Sequence, residues 1–216
     1  MRHGIVASAL VVAALSACSP PTEPLARGEE LYITCQPCHG KEGGGTPVVL
    51  APAIGGLPEW YIEAQVMKFR AGKRGYHFDD LAGMRMRPMA MTMGTEQDVK
   101  DVALYISQMA RPAHAPTQQG GNSDHGKQLF VTCTACHGAD AAGNQALNAP
   151  ELAGADDWYM VEQLHKFKAK IRGDGAIDAV GATMQAMSMT LTDEQAVKDV
   201  VAYIKTLPVP AKPPKG

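Results

Sequence analysis

Cys35-Gln36-Pro37-Cys38-His39 and Cys133-Thr134-Ala135-Cys136-His137 decide the reading of this 216-residue chain, because they are one motif written twice at a spacing of 98 residues. The offset holds without a gap through the surrounding sequence. Gly28 pairs with Gly126, Leu31 with Leu129, Pro52 with Pro150, and Trp60-Tyr61 with Trp158-Tyr159. Gln65 pairs with Gln163, Lys68-Phe69 with Lys166-Phe167, Arg74-Gly75 with Arg172-Gly173, and Val99 to Val102 with Val197 to Val200. A register kept over a whole unit predicts two copies of one small domain, at 25–110 and 124–208. The stretch 111–123, with two prolines, two glycines and two glutamines, reads as the linker, and 209–216 as a Pro/Lys tail.

Three helices are readable in each copy and no alternating strand pattern is, so the chain reads as all-α. The first covers about Leu25 to Cys35, and Gly126 to Cys133. The second runs from about Pro58 to Ala71 and from Asp156 to Ala169, with Tyr61, Gln65 and Phe69, or Tyr159, Gln163 and Phe167, in one stripe. The third opens at Thr95 and Asp193, both good N-cap residues, and carries Val99, Val102, Tyr105 and Ile106, or Val197, Val200, Tyr203 and Ile204. The methionine-rich stretches before the third helix read as short loops. Gly43-Gly44-Gly45 reads as a flexible loop and not a phosphate cradle, since no Lys-Ser/Thr follows it.

A Cys-x-x-Cys-His motif suits a redox dithiol, half a zinc site or a haem attachment site. The dithiol needs a βαβ context that is missing, and zinc needs four ligands where each copy repeats only two cysteines and one histidine. Haem fits: the thiols of Cys35 and Cys38, or Cys133 and Cys136, can form thioethers to the two vinyl groups of one porphyrin edge. His39 or His137 is then held beneath the iron. Four thioethers use four of the five cysteines, and the chain is expected to carry two covalently attached haem c groups.

An iron that shuttles electrons without binding small molecules needs a sixth ligand. Met84, Met86, Met89, Met91 and Met93 crowd the first copy, and Met184, Met187 and Met189 the second. Only 86/184, 89/187 and 91/189 survive the offset. A thioether favours ferrous iron and raises the potential; core filling and a copper(I) site are the competing uses of such methionines. His77, His114, His125 and His165 have no histidine partner at the offset, which argues against bis-histidine ligation.

Composition sets the wider bounds. With 45% hydrophobic residues the chain can build a core, and 20 basic against 22 acidic residues leave no nucleic-acid footprint. Residues 1–17 form a short cationic and apolar segment, too brief to span a bilayer, that reads as a signal peptide. Leu15-Ser16-Ala17-Cys18 resembles the bacterial lipoprotein signal, which places a lipid on Cys18 and makes 18–24, rich in proline, a tether.

These motifs resemble the dihaem cytochrome c4 family, two class I cytochrome c domains in tandem related by a pseudo-twofold axis. Pro52-Ala53-Ile54-Gly55-Gly56 and Pro150-Glu151-Leu152-Ala153-Gly154 match the segment that follows the haem motif in that family. Tyr61 to Gly72 and Tyr159 to Lys170 match its next stretch. The family's ligand methionine lies eight residues before the Ser or Thr of a Leu-Ser/Thr-Asp helix start, which implies Met184, and through the repeat Met86. Met93-Gly94-Thr95 departs from that pattern in the first copy, where Met89 is the fallback. The resemblance implies a periplasmic electron carrier, lipid-anchored to a bacterial membrane, between a quinol-oxidising complex and a terminal oxidase or reductase. An electron-accepting subunit of a flavocytochrome-like dehydrogenase would look similar. A dihaem peroxidase fits less well, because it needs an open iron position.

Overall fold

The computed structural model describes residues 23–210; the leader segment 1–17, Cys18 with most of the tether, and the end of the tail lie outside the described residues. Each copy folds into five α-helices. In the first these are α1 (Pro24–Tyr32), α2 (Gln36–His39), α3 (Glu59–Arg70), α4 (Leu81–Met91) and α5 (Glu96–Gln108). In the second they are α6 (Ser123–Phe130), α7 (Thr134–His137), α8 (Asp157–Lys168), α9 (Ala179–Ser188) and α10 (Glu194–Ile204). Among the described residues the only β-pairings are the isolated bridges Thr46–Ala51 and Asn144–Ala149, so the fold is all-α.

The core of each copy forms where its first and last helices cross. Tyr32 of α1 packs its ring 5.6 Å from that of Tyr105, and Phe130 of α6 lies 5.5 Å from Tyr203. Val99, Val102 and Ile106, and Val197, Val200 and Ile204, fill the seam beneath them with almost no exposure. That closeness depends on Gly28 and Gly126, where a Cβ would land on the backbone carbonyl of Asp101 or Asp199. Thr95 starts α5 with a full capping box, accepting from Asp98 N–H while the Asp98 carboxylate accepts from Thr95 N–H. Asp193 starts α10 by accepting from Ala196 N–H at 2.8 Å.

The methionine-rich segments are helices, not loops. Asp80 and Asp178 cap them, accepting from Gly83 N–H at 2.9 Å and Gly181 N–H at 3.1 Å. Each cap satisfies a backbone donor that a helix start leaves unpaired. Pro88 sits inside α4 and interrupts any apolar stripe that would advertise it.

The two copies meet along the second-helix stripe, and the contacts are reciprocal. Arg74 donates to Gln65 Oε1 of its own copy at 2.9 Å and across the seam to Gln163 Oε1 at 3.3 Å. Arg172 donates to Gln163 at 2.8 Å and across to Gln65 at 2.9 Å. Lys68 Nζ reaches Asp178 at 2.9 Å, and Lys166 Nζ reaches Asp80 at 2.6 Å. Each pair is exchanged with its counterpart by the 98-residue offset, which is what a pseudo-twofold axis between two copies produces. The guanidinium groups of Arg74 and Arg172 also lie over Phe69 and Phe167, at 4.3 and 4.6 Å from the ring centres.

Candidate functional site

Each copy holds a large cleft with largely apolar walls. Cys35, Cys38, His39 and Met86 line the first cleft, and Cys133, Cys136, His137 and Met184 line the second. The residues singled out by sequence are thus brought together, copy by copy, around one volume. No disulfide joins the four cysteines. Among the described residues no three His, Cys, Asp or Glu side chains form a metal-binding cluster, which leaves the zinc reading without its ligands.

The histidines are oriented by the backbone. His39 Nδ1 lies 2.8 Å from the Pro52 carbonyl and His137 Nδ1 lies 2.8 Å from the Pro150 carbonyl. A carbonyl can only accept, so Nδ1 carries the proton and Nε2 keeps its lone pair. Burial holds both imidazoles below the ordinary histidine range against the raising effect of those carbonyls. A neutral, fixed imidazole with a free Nε2 is what an iron ligand requires. Burial, with Cys38 beside it, also pushes the Cys35 thiol up to about 11.

The glycine-rich loop of residues 43–45 packs directly against the segment that presents Pro52. Gly45 has φ +78° and a Cβ there would lie 2.5 Å from Ala53 N and Pro52 C. Its N–H donates to the His39 carbonyl at 2.8 Å. The glycine is needed because the backbone turns left-handed and passes directly against the proline segment. Gly143 repeats this with φ +83°.

Geometry narrows the methionines. Met86 and Met89 face the first cleft, and Met184 and Met187 the second, whereas neither Met91 nor Met189 lines a cleft, and both are more than half exposed. Met93 is buried and also lines the first cleft, but its counterpart is Leu191, buried and lining the second, so the shared use of that position is apolar packing. Neither cleft is lined by His77, His114, His125 or His165; the last three are paired with Asp156, Asp199 and Glu194.

Sequence reasoning missed that each cleft is completed by the other copy. Tyr159, Gln163 and Lys166 wall the first, and Tyr61, Gln65 and Lys68 wall the second. These clefts fit haem: each has a mostly apolar lining into which one short segment brings two thiols and an imidazole and a separate helix brings a thioether.

Residues 25–110 and 123–208 each match the cytochrome c family. A thiosulfate dehydrogenase electron acceptor of Thiomonas intermedia (strain K12) is 30% identical over 75% of this chain and 73% of its own. The CcoP subunit of a cbb3-type cytochrome c oxidase from Rubrivivax gelatinosus is 30% identical over 62% of this chain, which spans 43% of that subunit. The cytochrome c4 structure of Acidithiobacillus ferrooxidans, 26% identical, superposes with a TM-score of 0.66 over 82% of this chain and 99% of that one. With the family match covering both copies and a two-domain cytochrome c4 matched along nearly its whole length, the chain belongs to the cytochrome c family, as a dihaem cytochrome c4-type member carrying two covalently bound haem c groups.

Proposed function

We propose that this chain is a two-centre electron carrier in which Cys35 and Cys38 hold the first haem and Cys133 and Cys136 the second, in domains 25–110 and 124–208 joined through 111–123. His39 and Met86 would hold the iron of the first haem, and His137 and Met184 that of the second. Haem supplies a reversible one-electron couple at its iron. The chain's own residues do the rest: the Pro52 and Pro150 carbonyls fix the histidines, the methionines would supply the other protein ligand, and the apolar walls would keep water away from the group. A closed iron transfers electrons and does not bind peroxide, which favours a carrier over a peroxidase.

The observation that carries the reading is the shared walling of the clefts. Tyr159 and Gln163 reach the first cleft, Tyr61 and Gln65 the second, and the four share one seam. Such an arrangement suits a protein that takes an electron at one end and delivers it at the other. The quinol-oxidising complex and the terminal oxidase or reductase are the partners of the leading reading, and the likeness to an oxidase subunit supports the oxidase. The likeness to a thiosulfate dehydrogenase acceptor favours a second reading, a dedicated acceptor subunit of a periplasmic dehydrogenase. In both, a lipid on Cys18 holds the protein at the periplasmic face of a bacterial membrane. Among the described residues no helix is long and apolar enough to cross one.

The test is ligand replacement. Met184→Ala is expected to abolish the sulfur-to-ferric-iron charge-transfer band of the second haem, lower its potential and open the iron to carbon monoxide. Met187→Ala is expected to leave the band in place. The opposite outcome moves the ligands to Met187 and Met89.

A further inference from the structure

Asp156 occupies the N-cap position of α8, yet its carboxylate accepts nothing from that helix. An aspartate there normally bonds the N–H groups of the first turn. Both oxygens of Asp156 are spent elsewhere. Oδ2 accepts from the Ala53 N–H of the first domain at 2.8 Å, and Oδ1 lies 2.6 Å from Nδ1 of His114 in the linker. The side chain is 4% exposed, so the charge is poorly screened.

The Ala53 N–H belongs to the same peptide group as the Pro52 carbonyl, and that carbonyl holds the His39 Nδ1 proton at 2.8 Å. A carboxylate bonded to the N–H of a peptide makes its C=O a stronger acceptor, because the bonds in a chain polarise one another. The result is a three-member relay from Asp156 through the Pro52–Ala53 peptide to the ring of His39. The second domain lacks it. At the 98-residue offset Glu151 replaces Ala53 and Pro58 replaces Asp156. No carboxylate at the matched position reaches back to the Glu151 N–H.

We propose that Asp156 is a positioning residue of the second domain that tunes the first domain's haem through the Pro52–Ala53 peptide and His39, making the two haems unequal. It rests on the haem reading above. A stronger pull on the Nδ1 proton makes the imidazole a better donor, stabilises ferric iron and lowers the potential of the first haem.

The competing explanation is simple proximity, and the structure separates the two. Asp156 lines the second cleft and not the first. Acting through space, its charge would move the second haem at least as much as the first. Acting through the peptide, it moves chiefly the first.

The experiment is an NMR-monitored redox titration of the full, haem-loaded chain, which follows the methyl resonances of each haem separately. In Asp156→Asn the first haem's reduction equilibrium is expected to shift toward the ferrous state by up to tenfold, about 59 mV for one electron, with a smaller shift at the second. The His39 Nδ1 proton resonance is expected to move to lower frequency while that of His137 stays. His114→Ala provides the opposite sign: it leaves the whole carboxylate charge on Ala53 N–H, so the first haem's potential is expected to fall. A loosened seam would not reverse sign between the two variants. Equal or larger shifts at the second haem, or no shift at the first in either variant, overturn the proposal. Absence of bound haem would instead overturn the reading on which it rests.

Discussion

Lys166→Met probes how firmly the two domains are locked. Lys166 Nζ lies 2.6 Å from Asp80 Oδ1 and 2.6 Å from Glu162 Oε1, with the lysine side chain 8% and that of Asp80 3% exposed. Methionine keeps the length of the lysine stem and removes the ammonium, leaving a buried carboxylate unpaired. Breaking a buried pair in this way costs about 3–5 kcal/mol. Asp80 keeps the Gly83 N–H, so a loss near the lower end, about 3 kcal/mol, is expected. The pH dependence has a definite sign. Burial opposes ionisation of Asp80, but Lys166, the Gly83 N–H and Arg74 outweigh it and hold the carboxyl below its ordinary value. A depressed carboxyl contributes stability above its unfolded-state value, and that contribution is lost as pH falls through the folded-state value. The gap between parent and variant is therefore widest at neutral pH and narrows below about pH 4. Guanidinium unfolding of the haem-loaded protein at both pH values measures it. Lys68→Met is the internal control: Lys68 is 19% exposed and its Asp178 contact is longer at 2.9 Å, so its loss is smaller. A loss below about 1 kcal/mol for Lys166→Met, the level of a surface pair, or one independent of pH, would refute the reasoning.

Three further perturbations test the helix crossing, the seam and the anchor. Gly126→Ala drives a Cβ into the Asp199 carbonyl, so a loss of about 1–3 kcal/mol from overpacking is expected in chemical denaturation, exceeding the roughly 1 kcal/mol gained in helix propensity. Gln65→Leu removes an acceptor shared by Arg74 and Arg172; each charged donor loses about 1.5–3 kcal/mol, and calorimetry is expected to show both domains destabilised, not the first alone. Cys18→Ser is expected to move the protein from the membrane fraction to an unprocessed or soluble form with both haem spectra intact, as read by fractionation and absorbance; a parent protein found wholly in the soluble fraction contradicts the anchor.

What was legible in the sequence is what local physics writes there. The repeated Cys-x-x-Cys-His motif, the valine stripes of α5 and α10 and the caps at Thr95 and Asp193 each declare themselves within a few residues. The helices α4 and α9 were missed because their methionines serve a cleft and so make no core-facing stripe, and because Pro88 interrupts the first of them. A signal was available: Asp80-x-x-Gly83 and Asp178-x-x-Gly181 repeat at the offset, and each is a cap. Gly43 and Gly45 looked slack because composition cannot reveal that the proline segment passes against them. Gln65, Lys68 and Arg74 were visible as repeat markers, and Gln65 as part of a helix stripe, but not as seam residues, since a contact between copies leaves no local trace. Asp156 was less legible still, because its partners Ala53 and His114 lie in other parts of the chain and neither is repeated.

Duplication explains why the seam is built from repeated residues while the differences lie at its edge. In a twofold interface each residue meets the partners of its own counterpart, so Gln65 serves Arg172 as Gln163 serves Arg74. Changing one such residue alone breaks two contacts, which ties both copies to the same choice. Position 53/151 and position 58/156 escape that constraint, because each meets a group with no counterpart: Asp156 takes His114 of the linker, and Glu151 takes Arg111 at 3.1 Å. Burial pushes the Glu151 carboxyl up and Arg111 pulls it back only in part, so at position 53/151 the second cleft carries a carboxyl group where the first has a methyl. The single-copy linker is thus what allows two domains of one ancestry to hold their irons in different electrostatic surroundings. An electron entering one and leaving the other then moves between sites that are not equivalent.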